Sequence, residues 1–66
     1  MSIIVNGRQI DLPETIQNVK GLLSHYNLEN RIVVVEVNKD IVMKQNYETT
    51  GLSNGDIVEI IHFVGG

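Results

Sequence analysis

Ser24 and His25 stand side by side, and Asp11 and Asp40 are carboxylates that could complete a nucleophile, base and acid set with them. Such a set works only by mutual geometry, and neighbouring residues on a helix point in different directions. His25 therefore reads as a solvated helix residue. His62 lies far from His25 in the sequence, and two distant histidines do not make a metal site, so His62 is expected at a strand edge or an interface. Glu29, Glu36, Asp40, Glu48, Asp56 and Glu59 are spread along the chain with no spacing that suggests shared acid and base work. They are expected on a solvated face. The chain has no cysteine, which excludes thiolate nucleophiles, thiolate metal sites and disulfides and leaves the redox compartment open. Its six glycines lie apart except for Gly65-Gly66, so no phosphate-cradling or dinucleotide motif is present. No catalytic residue is expected in this chain.

What remains is the pair Gly65-Gly66. An extended Gly-Gly has no side chain, so it can enter a channel too narrow for any other residue while its backbone is read by hydrogen bonds. A carboxylate at Gly66 would be the only reactive group so delivered. It is a poor acyl donor until its oxygen becomes a good leaving group, as in an acyl-adenylate made from ATP, and glycine leaves the carbonyl carbon open to attack. On the other reading the two glycines are incidental terminal residues. Residue types alone do not decide between the two.

The rest of the chain must hold that pair in place. Its 66 residues make one domain, near the lower size at which chains fold unaided, so almost every apolar residue must enter one core. The expected division is a domain over residues 1–64 and a flexible tail over 65–66. No apolar run approaches the roughly 20 residues that span a bilayer. We expect a soluble, cytoplasmic protein, monomeric when free. A net charge of −3, with five scattered Lys and Arg, one Phe and two Tyr, provides neither a phosphate-binding stripe nor a stacking platform, and argues against nucleic-acid binding.

Apolar residues two apart at Ile3 and Val5, and at Ile10 and Leu12, flank Asn6-Gly7 and predict a hairpin over Ser2–Val5 and Arg8–Leu12. Beyond Pro13 the period changes. Ile16, Val19, Leu22, Leu23 and Tyr26 predict an amphipathic helix with Thr15 as N-cap and a stop at Asn27-Leu28. Gly21 disfavours a helix interior, so either packing requires a small residue there or the helix starts nearer Asn18. Arg31–Val37 reads as a strand inside the sheet, covered on most of both faces, and Asn38-Lys39-Asp40 as a turn into a short strand over Ile41–Lys44. Residues 45–53 show no period and suggest an irregular crossing with one helical turn around Tyr47. After a turn at Asn54-Gly55-Asp56 comes a last strand, Ile57–Val64, with Val58, Ile60 and Val64 on one side and Ile57, Ile61 and Phe63 on the other. One helix on one mixed sheet, with the first and last strands adjacent in the middle, buries these faces economically.

With these elements in order, the whole chain resembles the sulfur carrier family of thiamine biosynthesis, whose fold is the ubiquitin-like β-grasp. The residues that carry the resemblance are "IIVNG" at the start, "TIQ" entering the helix, "GLLSHYNLENRIVVVEVNKDIV" in the middle and "LSNGDIVEIIHFVGG" at the end. Many members have a proline where this chain has Met43, and the helix here reads as lengthened by "NVKG" around Gly21. The implied fold is α+β, one helix packed on a mixed sheet of four to five strands. The resemblance further implies that an adenylating enzyme related to the ubiquitin-activating enzymes, using ATP and magnesium, converts the Gly66 carboxylate into an acyl-adenylate. Sulfur from a persulfide, supplied through a cysteine desulfurase, then leaves a thiocarboxylate that thiazole synthase consumes. The carrier would be a protein cosubstrate that binds no cofactor itself. Two alternatives stand beside this: the small subunit of molybdopterin synthase, with the same terminal chemistry, and a β-grasp interaction module with incidental glycines.

Under the carrier reading, Gly65 and Gly66 are recognised as the tail and Gly66 is the modified residue. Ile57, Ile61, Phe63 and Val64 are expected to form the partner face, unless the crossing over residues 45–53 covers it.

Overall fold

The computed structural model describes residues 1–63. Its elements run β1 (Ser2–Val5), β2 (Arg8–Asp11), α1 (Val19–His25), β3 (Val33–Val37), β4 (Asp40–Val42), a short 3-10 helix (Lys44–Asn46) and β5 (Ile57–His62). The five strands lie in the order β2-β1-β5-β3-β4, with β1 and β5 parallel and the other neighbours antiparallel. First and last strands are adjacent, as the sequence predicts.

Asn6 and Gly7 both take positive φ angles, 51° and 81°, which gives the β1–β2 connection the twist of a two-residue hairpin turn. Asn38 and Lys39, at 51° and 73°, do the same between β3 and β4. β1 has the predicted bounds, and the later strands are shorter than predicted. β2 stops at Asp11, β3 starts at Val33, and β4 covers Asp40–Val42 because Lys44 already belongs to the 3-10 helix.

Asn18, and not Thr15, caps the helix: its Oδ1 accepts from the Gly21 N–H at 2.8 Å. Gly21 thus lies in the first turn, where a Cβ would come within 3.3 Å of that capping oxygen. The helix does start next to Asn18, at Val19, and the cap favours a small residue three positions on. The two preceding N–H groups are satisfied from outside, Val19 by the Thr50 carbonyl and Lys20 by the Tyr47 carbonyl, while the Leu52 N–H donates to Gln17. Free N–H groups at a helix start need such partners, so the crossing is pinned to the helix end.

At the other end Asn27 takes φ 59°, the Leu28 N–H donates to Leu23 and the Asn27 N–H to Ser24. This pattern closes a helix through a left-handed residue.

The core lies between α1 and one sheet face. Ile3, Val5, Val35, Val42, Val58 and Ile60 meet Val19, Leu22 and Leu23, while Leu12, Ile16 and Leu52 close the ends. The face predicted for Ile3 and Val5, and for Val58 and Ile60, is the buried one. No helix among the described residues is long and apolar enough to cross a membrane.

Met43 sits at φ −74° and ψ 151°, 55% exposed, and donates no backbone hydrogen bond. A proline fits such a backbone, so the departure at this position leaves the local geometry intact. Met43→Pro is expected to stabilise the fold by about 0.4 to 1 kcal/mol through a less flexible unfolded chain, measured by denaturant unfolding. A loss of stability would show that the Met43 side chain or N–H contributes to the fold.

Candidate functional site: the open face of the sheet

Strand alternation that sends Val58 and Ile60 into the core sends Ile57, Glu59 and Ile61 to the opposite face, with Phe63 one residue beyond β5. Nothing among the described residues covers that face. The crossing, expected as a possible cover, is tied to α1 on the other side of the sheet. Ile57, Ile61 and Phe63 accordingly stand 49%, 48% and 53% exposed. Val64, Gly65 and Gly66 lie outside the described residues.

Register extends the patch beyond the predicted residues. Ile57 pairs with Ile4 on β1, and Ile61 with Val34 on β3. Across β3, Glu36 lies opposite Ile41 of β4, and Met43 continues that alternation. Ile32 meets the end of the last strand, where the Phe63 N–H donates to its carbonyl. Ile32, Ile41 and Met43 are all more than half exposed. Sequence reasoning missed these three, although the turn at Asn38-Lys39, which sets the β3–β4 register, was visible.

Two asparagines hold β5, at Ile57 and at Ile60. Past the end of β1, the Asn6 Nδ2 donates to the Ile60 carbonyl at 3.1 Å and its Oδ1 accepts from the Ile60 N–H at 2.7 Å. One side chain thereby extends the β1–β5 pairing by a residue towards Phe63. At the start of β5, Asn38 Oδ1 accepts from the Ile57 N–H, and its Nδ2 donates to Asp56, whose other oxygen accepts from the Ser53 N–H. Asn6→Gly keeps the turn's positive φ and removes both bonds to Ile60. We expect it to cost about 1 to 2 kcal/mol and to speed exchange of the Ile60 amide. An unchanged exchange rate would remove the clamp from the account.

The other candidate groups stay apart. Ser24 and His25 are exposed on α1, and the His25 ring meets the edge of Tyr26 at 5.3 Å. His62 is the exposed last residue of β5, opposite Val33. Among the described residues no three His, Asp or Glu come together in a way that could hold a metal ion. No polar or charged residue is buried among them.

Residues 3–66 match the model of the ThiS family, so the match runs through the final Gly-Gly. The chain belongs to the ThiS family. It is 42% identical to the sulfur carrier protein ThiS of Bacillus subtilis over 94% of both chains. A crystal structure of the thiamine biosynthesis protein ThiS from Geobacter metallireducens superposes with a TM-score of 0.83 at 31% identity, covering 100% of this chain and 99% of that one. The ubiquitin-like β-grasp read from the sequence is therefore the fold, with five strands. A thiazole synthase of Paramagnetospirillum magneticum is 33% identical over 100% of this chain but only 20% of its own length. That ThiS-like segment accordingly makes up a minor part of a longer chain.

Proposed function

We propose that this chain is a sulfur carrier of thiamine biosynthesis, a protein cosubstrate and not a catalyst, whose Gly66 carboxylate is the group that carries sulfur. The reading rests on the family match running to residue 66. An adenylating partner supplies ATP and magnesium. A Gly66 carboxylate oxygen bonds to the α-phosphorus of ATP and pyrophosphate leaves. Persulfide sulfur, originating from a cysteine desulfurase, then attacks the carbonyl carbon and AMP leaves. A second partner thiol then attacks the partner-side sulfur of the resulting acyl disulfide, so that the S–S bond breaks, the thiocarboxylate leaves and a disulfide remains on the partner. Gly65 and Gly66 suit the first step because neither has a Cβ to obstruct the approach.

Thiazole synthase is the proposed acceptor. A ThiS-like segment within a longer thiazole synthase chain supports this, since two modules joined in one chain meet at high effective concentration. Docking is assigned to the open face, with Ile57, Ile61 and Phe63 at its centre and Val64 leading to the tail. We place the carrier in the cytoplasm, with its ATP-dependent partner.

Intact-mass measurement after incubation with ATP, magnesium, the adenylating enzyme and a persulfide source tests the chemistry. The expected product is heavier by the exchange of one oxygen for sulfur, with the change mapped to the C-terminal residue. An unmodified chain beside an enzyme that thiocarboxylates another ThiS protein would sink the reading.

A further inference from the structure

The open face carries a charge pattern that specifies its partner. Glu36 and Glu59 are direct cross-strand partners on β3 and β5, in the interior of the sheet. Like charges directly opposite one another destabilise a strand pair. No described residue relieves them: the ion pair found among those residues is Lys20–Glu48, and neither Glu36 nor Glu59 takes a side-chain hydrogen bond. By alternation, the strand positions on this face are Ser2, Ile4, Gln9, Asp11, Val34, Glu36, Ile41, Ile57, Glu59 and Ile61. None is basic. Around the two carboxylates stand Val34, Ile41, Ile57 and Ile61, so any surface that covers those apolar side chains also removes water from Glu36 and Glu59. Two unpaired carboxylates taken out of water oppose binding strongly.

We propose that the partner face which docks here is apolar and presents one guanidinium that seats between Glu36 and Glu59. Arginine suits the position better than lysine, because its planar fork reaches two acceptors at once and its charge is weakly hydrated. The same pattern rejects the wrong partner. Two copies of this chain meeting through their open faces would bring four carboxylates together, so the exposed apolar residues do not lead to self-association.

The inference rests on the carrier reading, and its test separates the two. Affinity for thiazole synthase is measured across a salt series for the wild-type chain and for the double variant Glu36→Gln, Glu59→Gln, with thermal unfolding alongside. The double variant is expected to melt no lower than wild type, to bind at least about tenfold more weakly, and to lose most of its salt dependence. A second variant, Glu59→Lys, gives Glu36 a cation within the chain. It is expected to melt higher and to bind at least as weakly as the double variant. Wild-type binding that both variants match would overturn the guanidinium assignment and leave the carrier reading in place. A wild-type chain that fails to bind a synthase competent with another ThiS protein overturns both.

Discussion

Deletion of Gly66 is expected to leave a folded domain that gains no sulfur. Among the described residues Ile60 is the last to enter the core, and Gly66 has no side chain to add to it, so unfolding should be unchanged. The shortened chain still ends in a glycine carboxylate with the same intrinsic reactivity. It ends one residue early, however, and a residue spans up to about 3.5 Å of extended chain. Catalytic geometry tolerates far less, since a displacement of about 1 Å can cost roughly 100-fold. Adenylation should therefore fall below detection, read as ATP–pyrophosphate exchange and as the absence of the thiocarboxylate mass. If the glycines were incidental, the shortened chain would behave as wild type. Gly66→Ala isolates the second requirement: length is kept, a Cβ is added, and a large loss there would assign the Gly-Gly to a narrow channel.

Placing a charge at the centre of the open face is expected to have the next largest effect. Ile61→Asp and Phe63→Asp each alter a side chain about half exposed in the free domain, so each should remain folded and lose little stability. In the proposed docked state the partner would cover the same position and remove its water. Central interface residues of this kind cost 2 kcal/mol or more when altered, and a buried unpaired carboxylate adds to that cost. Binding should weaken by about 30-fold or more, measured by calorimetry against the adenylating enzyme and against thiazole synthase. Asp at Gln9, on the same face but out on β2, is the matched control and should bind within a few-fold of wild type. Unfolding of Phe63→Asp would instead mean that Phe63 belongs to the core. Near-normal binding by both variants would move the docking site elsewhere.

Most of this arrangement is legible in residue order because local and long-range signals agree. Asn6-Gly7 demands a two-residue hairpin turn, Val58 and Ile60 alternate with Ile57 and Ile61, and a single helix must cover what the sheet exposes. The errors have physical causes. Thr15 has the chemistry of an N-cap, but the helix begins only after Asn18, which caps it, and its first N–H groups, Val19 and Lys20, find partners in Thr50 and Tyr47, about thirty residues away. Arg31–Val37, rich in β-branched residues, reads as covered on most of both faces, yet no described residue layers its second face, where Val34 is half-buried. Ile41 and Met43 join the open face only once the β3–β4 register is known. The link from Asn6 to Ile60 spans 54 positions and follows no local pattern. Opposition of Glu36 and Glu59 is equally invisible until the strands are paired.

The place of β5 in the sheet also bears on how the molecule is made. β1 and β3 never touch directly; the strand emerging last from the ribosome is the one that lies between them. Until it arrives, the nascent chain holds two separate hairpins and a helix with no shared floor. Long-range pairings of this kind form late and comparatively slowly. A stalled or prematurely ended product therefore lacks the strand that closes its core and is left open to cellular proteases. Quality control of the fold becomes quality control of the message, because a chain that escapes degradation has been translated through β5.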